Sequence, residues 1–168
     1  MALETITYGF GETKLGGILV AASSAGLAAI LIGDDRDRLR RELGETLPDV
    51  ALVEDQAGLA ERIVAVEQRV DTPNTRFDLQ LDLRGSDLER GVWTALTRIP
   101  SGETTTYGAL ARSLGVAATA QEVGAACAAN RLAVVIPCHR VVKADGSISG
   151  YRWGVQRKRR LINMEGVA

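Results

Sequence analysis

The apolar positions of this chain follow two rhythms. In the first half they come as short runs and alternations. Thr5-Ile6-Thr7-Tyr8 is β-prone, and two apolar runs follow, Gly17-Ile18-Leu19-Val20 and Leu27-Ala28-Ala29-Ile30-Leu31-Ile32. The Ser23-Ser24-Ala25-Gly26 stretch between those runs is a turn signal, so residues 3–32 predict an antiparallel meander. Asp34-Asp35 opens a short charged helix with Leu39 and Leu43 on one face, ended by Gly44 and Pro48. A second helix is predicted over 56–70, where Leu59, Ile63, Val66 and Val70 recur at helical spacing as a core stripe. After the loop Asp71-Thr72-Pro73-Asn74, the residues Phe77, Leu79, Leu81 and Leu83 alternate with polar ones, the pattern of a half-buried strand.

Past Arg84-Gly85 the rhythm becomes helical. Ser86-Asp87-Leu88-Glu89 has capping-box spacing, with Leu88, Val92 and Leu96 on one face behind it. Thr106 caps a helix from Tyr107 to Leu114, which Gly115 stops. Thr119-Ala120-Gln121-Glu122 is a further capping box, opening a helix to Asn130. Two short helices joined by a tight turn fit either a helix-turn-helix or an ordinary helical hairpin. The second is unusually small-faced (Ala120, Gly124, Ala125, Ala126, Ala128, Ala129), which suits close approach of a neighbouring helix or of a DNA groove. Asp145-Gly146 is a turn between short β-like segments, Gly150-Tyr151-Arg152-Trp153-Gly154 is an aromatic loop, and a basic helix covers 155–164. Tyr151 and Trp153 fit a pocket wall and a loop anchor equally well.

Charge sharpens this division. The net charge is −1, but residues 1–82 carry 8 Lys/Arg against 15 Asp/Glu, and residues 83–168 carry 12 against 6. A basic half is the footprint of a polyanionic partner; the alternative is a solvated helix face around 157–160, enough for half of the excess. Two domains follow as an expectation, 1–84 and 85–168. Two cysteines make no disulfide framework and point to a reducing compartment. The longest apolar run near the N-terminus, Ile18 to Ala22, is too short to span a bilayer, and nothing reads as a signal peptide. A cytoplasmic location is therefore expected. One histidine and two cysteines leave no ligand-spaced set for a metal, so no metal or cofactor is expected.

Candidate chemistry concentrates in Ile136-Pro137-Cys138-His139-Arg140-Val141-Val142, which holds the single histidine. The apolar run Leu132-Ala133-Val134-Val135-Ile136 ahead of it reads as buried backbone. A thiol delivered by a rigid proline beside an imidazole and an arginine is a candidate nucleophile. A small buried thiol next to an incidental histidine fits the local sequence equally well.

Pro137-Cys138-His139-Arg140-Val141-Val142, Gly150-Tyr151-Arg152-Trp153-Gly154 and Asn130 together resemble the O6-alkylguanine-DNA alkyltransferases, the methylated-DNA–protein-cysteine methyltransferases. The similarity is strongest over 86–166 and is closest to the C-terminal half of the bifunctional adaptive-response regulators. The cysteine-rich, zinc-binding half of those regulators has no counterpart here, so the resemblance implies the guanine-repair module alone. It further implies an α/β ribonuclease-H-like N-terminal domain, and a mostly α C-terminal domain with a winged helix-turn-helix. The implied reaction is a one-way alkyl transfer from O6-alkylguanine, and O4-alkylthymine, in double-stranded DNA. The resemblance also implies that the base is flipped out through the minor groove, that the protein acts as a monomer, and that each molecule reacts once.

Residue by residue, the resemblance makes Cys138 the alkyl acceptor and His139 its base through a water, oriented by Glu165. The chain is expected to be extended there, so adjacent Cys138 and His139 point to opposite sides and do not meet directly, and charge sharing along the relay would favour thiolate at neutral pH. Tyr107 would crowd a phosphate and help guanine leave, and Asn130 would brace the turn. Val141, Tyr151, Arg152 and Trp153 would line the base site, with Trp153 narrowing access for bulky alkyl groups. DNA contacts would fall to Tyr107, Thr119, Ala120, Gln121, Glu122, Gly124 and Arg140.

The sequence departs from the family at three places. Gln121 stands where an arginine normally fills the stack vacated by the flipped base. Glu122 stands where a small groove-facing residue is usual, unless its capping box with Thr119 turns it to the helix start. Leu88 replaces a common aromatic. Weaker DNA affinity and slower flipping are expected, with an alkylated-DNA binder as the alternative function. A non-repairing lesion binder is disfavoured by the presence of Cys138, and a Cys–His hydrolase by the adjacency of the two residues.

Overall fold

The β-prone and apolar runs of the first half form β1 (Glu4–Thr13), β2 (Gly16–Ser23) and β3 (Gly26–Gly33), an antiparallel meander, in a computed structural model that describes residues 2–166. Both turns need a backbone that L side chains avoid. Gly26 has φ 146°, and a Cβ there would sit 2.5 Å from the Gln80 carbonyl oxygen, so only glycine fits. Asp35 caps α1 (Arg36–Thr46), accepting from the Arg38 amide, and Leu39 and Leu43 are its buried residues. The helix runs through Gly44 rather than stopping there. Its end is at Leu47, just ahead of Pro48.

A strand absent from the sequence reading, β4 (Val50–Glu54), pairs parallel to β1 and completes a sheet of order β3-β2-β1-β4. Helix α2 (Ala60–Asp71) begins four residues later than predicted, because Asp55 first closes a turn onto the Gly58 amide. Its apolar stripe is buried as expected. Gly9 and Gly11 on β1 make room for it, since a Cβ at either would lie within 2.9 Å of Ile63. Residues 77–81 alternate in burial as their pattern implies, but the alternation ends there, and 77–83 form only a single bridge, Leu27 to Leu81, and no strand. Residues up to Leu83, with Arg131–Ala133 pairing to Ile30, make one unit.

The second unit covers residues 84–130 and 134 onward. Capping boxes at Ser86 and Thr119 open α3 (Asp87–Leu96) and α5 (Ala120–Ala128), and Thr106 caps α4 (Tyr107–Ser113). Trp93 anchors α3 to α5 by donating its indole N–H to the Ala126 carbonyl at 2.8 Å. A short parallel pair, β5 (Thr105–Thr106) and β6 (Val141–Val142), joins the start of α4 to the chain beyond Cys138. Asp145-Gly146 does turn the chain, but β6 pairs with β5 and not with a segment beyond that turn. Helix α6 (Val155–Met164) closes the unit. Met1, Val167 and Ala168, inside the predicted domain limits, lie outside the described residues.

Candidate active site

The predicted buried run is buried throughout, from Leu132 to Ile136. Val134 takes φ 68°, an uncommon backbone for a β-branched residue that bends the chain toward the cysteine. Pro137 then precedes a 3-10 turn, Cys138–Arg140. This corrects the expectation of an extended chain. Three residues per turn still send successive side chains in different directions, by a different route from strand alternation.

Cys138 lines a cavity of about 400 Å³ together with Tyr107, Gly124, Cys127, Tyr151 and Arg152. Asn130, 1% exposed, donates from Nδ2 to the Ile136 carbonyl at 2.9 Å and to Cys138 Sγ at 3.3 Å, so one amide sets both the turn and the sulfur. Arg152 supports Asn130 in turn, donating to its carbonyl at 2.8 Å.

His139 and Arg140 point the other way, into a closed polar cluster. Arg140 donates to Glu165 through Nε (3.1 and 3.0 Å) and Nη2 (2.9 Å), and through Nη1 to the Ile99 carbonyl at 2.5 Å. With 3% exposure, Arg140 is an internal strut. This corrects its assignment to the DNA contacts, because the side chain is buried and each of its three nitrogens has a partner inside the unit. His139 Nε2 lies 2.6 Å from Glu165 Oε1. Burial resists ionisation of Glu165, but hydrogen bonds and charge from His139 and Arg140 prevail and hold its carboxyl down at about 2. Glu165 is therefore an acceptor, and the proton of that bond sits on Nε2. Burial keeps the imidazole neutral by lowering its pKa. The remaining nitrogen, Nδ1, is then a buried acceptor with no protein partner.

Burial also pushes the Cys138 thiol up, against the Asn130 hydrogen bond and the charges of Lys158 and Arg152 that pull it down. Burial thus works against the thiolate that the relay is expected to favour. Cys127, in the same cavity, is pushed up to about 12 by burial.

Lys158 was missed. It is 1% exposed and donates from Nζ to Ser149 Oγ at 3.0 Å and to the Gly150 carbonyl at 3.5 Å, whereas its basic run reads as a solvated face. A signal existed: Lys158 stands three and four residues before Leu161 and Ile162, the buried stripe of α6. Ser149, hydrogen-bonded to the Tyr107 hydroxyl, was missed as well.

Trp153 is 4% exposed and is not part of the cavity wall. It packs edge-on against Tyr151 at 5.3 Å, under the Arg152 guanidinium, which makes it an anchor and Tyr151 the wall. Val141 is fully buried in the β5–β6 pair. On α5, Thr119, Ala120, Gln121 and Glu122 are exposed and Gly124 is half-buried. The Glu122 carboxylate accepts from the Thr119 amide at 3.0 Å, so it is folded back to the helix start. Among the described residues, no group of His, Cys, Asp and Glu is arranged to hold a metal ion.

The site thus presents a thiol to a cavity and pairs the adjacent histidine with a carboxylate on the opposite side. Comparison with known proteins gives it a family. Residues 87–167 match the family described as 6-O-methylguanine DNA methyltransferase, DNA binding domain. The bifunctional transcriptional activator/DNA repair enzyme Ada of Escherichia coli is 45% identical over 164 residues, covering 95% of this chain and 45% of that protein. A methylated-DNA–protein-cysteine methyltransferase of Methanosarcina acetivorans is 32% identical, over 95% of this chain and 97% of that one. A crystal structure of Mycobacterium tuberculosis OGT in complex with DNA superposes with a TM-score of 0.78 at 30% identity, covering 96% of this chain and 92% of that one. The chain belongs to the methylated-DNA–protein-cysteine methyltransferase family. It spans less than half the length of its relatives from E. coli and Salmonella typhimurium.

Proposed function

We propose that the protein repairs alkylated DNA by transferring the alkyl group of O6-alkylguanine, and of O4-alkylthymine, irreversibly to Cys138. The observation that carries this reading is the position of Cys138 Sγ. It lies on the wall of a base-sized cavity and is held by Asn130, in a chain of this family. His139 Nδ1 is the base. Acting through a water, it takes the thiol proton, and Glu165 balances the imidazolium that results. Sulfur then attacks the alkyl carbon, and Tyr107 supplies a proton to the departing base.

A buried sulfur cannot reach a stacked base, so the target must be extruded into the cavity, at a cost of a few kcal/mol. In this reading α4 and α5 act as a winged helix-turn-helix, and the exposed small face of α5 enters the minor groove. The sheet unit is the ribonuclease-H-like domain, the functional division falls near residue 84, and the protein works as a cytoplasmic monomer.

The test is incubation with duplex DNA carrying O6-methylguanine, followed by peptide mass analysis. One methyl group on Cys138 and none on Cys127 is expected. An unmodified Cys138 with excess substrate rejects the reading, and repeated turnover points to a hydrolase instead. Gln121→Arg is expected to speed repair and to steepen the salt dependence of DNA binding by about one phosphate contact. An unchanged repair rate removes Gln121 from the flipping step.

A further inference from the structure

Tyr107 at the start of α4, Ser149 in the loop after β6 and Lys158 in α6 come from three separate parts of the chain. Their polar ends form one line. Lys158 Nζ donates to Ser149 Oγ at 3.0 Å, and the Ser149 and Tyr107 hydroxyls are hydrogen-bonded to each other. The chemistry of the groups fixes the direction of the first bond and allows the second to run toward the cavity. An ammonium only donates, so Ser149 Oγ accepts from it. The Ser149–Tyr107 bond can run either way; in the orientation that serves transfer, the Ser149 O–H points at the Tyr107 oxygen and the Tyr107 O–H turns onward into the cavity that Tyr107 lines. The line runs from a buried cation to the place where a base would sit.

We propose that Ser149 is a positioning residue that relays a proton from Lys158 through Tyr107 to the departing base. The proposal rests on the repair reading above and extends it. While Cys138 is a thiolate, it and the Lys158 ammonium compensate each other. When the Sγ–C bond forms and the O6–C bond breaks, the electron pair of the broken bond goes to the base and the sulfur becomes neutral. Lys158 is then, as before the thiolate formed, a buried cation without a counter-charge, but the base is now an anion able to take its proton. Tyr107 gives its proton to the base, Ser149 gives its own to Tyr107, and Lys158 gives one to Ser149. Both hydroxyls are restored, the amine and the base end neutral, and no other reactant is needed. Alkyl transfer thus releases the proton that its own leaving group requires. Burial already lowers the Lys158 pKa, in keeping with a lysine able to release a proton.

The test separates leaving-group protonation from thiolate reactivity. Methyl transfer from O6-methylguanine DNA is measured in single turnover at saturating DNA, in parallel with alkylation of Cys138 by iodoacetamide, whose iodide leaves without a proton. Ser149→Ala is expected to slow methyl transfer by about 100-fold, the scale of a lost general acid, and to leave the iodoacetamide rate unchanged. Ser149→Thr, which keeps the hydroxyl, is expected to restore most of the methyl-transfer rate. Methyl transfer by Ser149→Ala at the wild-type rate overturns the relay. So does an equal loss in both reactions, or a failure of threonine to rescue. A wild-type protein that takes iodoacetamide on Cys138 but no methyl from DNA overturns the repair reading itself.

Discussion

On one side of Cys138, Glu165 takes three hydrogen bonds from Arg140 and one from His139, and every charge there has its opposite. On the other side Lys158, equally buried, meets only neutral oxygens, those of Ser149 and Gly150. The two clusters flank the same sulfur and belong to the same folded unit. A satisfied ion pair holds a structure in place whatever the sulfur does. A buried cation whose best counter-charge is the reacting thiolate changes its energy during the reaction. The difference teaches that burial of charge alone does not mark a functional group. What matters is whether the charge is balanced before the chemistry begins.

The largest effect should come from breaking the balanced side. Glu165→Gln leaves the Arg140 charge buried and uncompensated, which costs about 3–5 kcal/mol. For a chain of this length that lowers the melting temperature by roughly 10 °C. Lys158→Met removes a buried cation that has no resting counter-ion and keeps its shape, so stability should change by no more than about 1 kcal/mol. Its cost should fall on reactivity: the Lys158 charge lowers the Cys138 thiol pKa, so the methionine variant should shift the iodoacetamide profile of Cys138 to higher pH. If thermal melts show the two variants equally destabilised, the contrast between the clusters is wrong.

Acid sharpens the same contrast with a smaller effect. The folded pKa of His139 is depressed, so below about 6.5 the unfolded chain binds a proton that the native state does not. Stability then falls as pH falls, by about 1.4 kcal/mol per pH unit for one proton. Glu165, held at about 2, contributes stability above its unfolded value near 4.5 and loses it as pH drops from there toward 2. Urea midpoints measured against pH should show both onsets. His139→Gln should remove the first and leave the acid step, because Arg140 still pairs with Glu165. A single onset in the wild type would mean that His139 ionises freely in the native state.

How much of this was readable beforehand depended on whether a residue's partner was local. The meander, the capping boxes and the stripe of α2 follow from neighbours in sequence, and they form as their patterns imply. Strand β4 did not show itself because it is short and half-exposed, and parallel pairing with β1 leaves no alternation to read. Residues 77–83 have the alternation, yet a strand needs a ladder of partners and only Leu27 supplies one. At the site, Cys138, His139, Asn130 and Glu165 stood out through rarity and through resemblance. Arg140 and Lys158 were misjudged in the same way. A basic residue in a basic stretch reads as outward-facing charge, for solvent or for DNA, but the fate of these two is set by partners 25 and 9 positions away.

Trp153 extends the comparison to its weakest link. Its ring lies under the Arg152 guanidinium, and Arg152 in turn holds the Asn130 carbonyl, so Trp153 stands two contacts behind the sulfur. Its indole N–H is buried without a protein partner, so that group adds nothing that a phenyl ring would lose. Trp153→Phe should therefore change stability by less than about 1.5 kcal/mol, the range for a swap that nearly conserves volume. Because Trp153 is not part of the cavity wall, the ratio of methyl to benzyl transfer should stay at its wild-type value. A marked gain in benzyl transfer would restore Trp153 to the pocket wall. A loss in both transfers at an unchanged ratio would mean that the Arg152–Asn130 support needs the full indole beneath it.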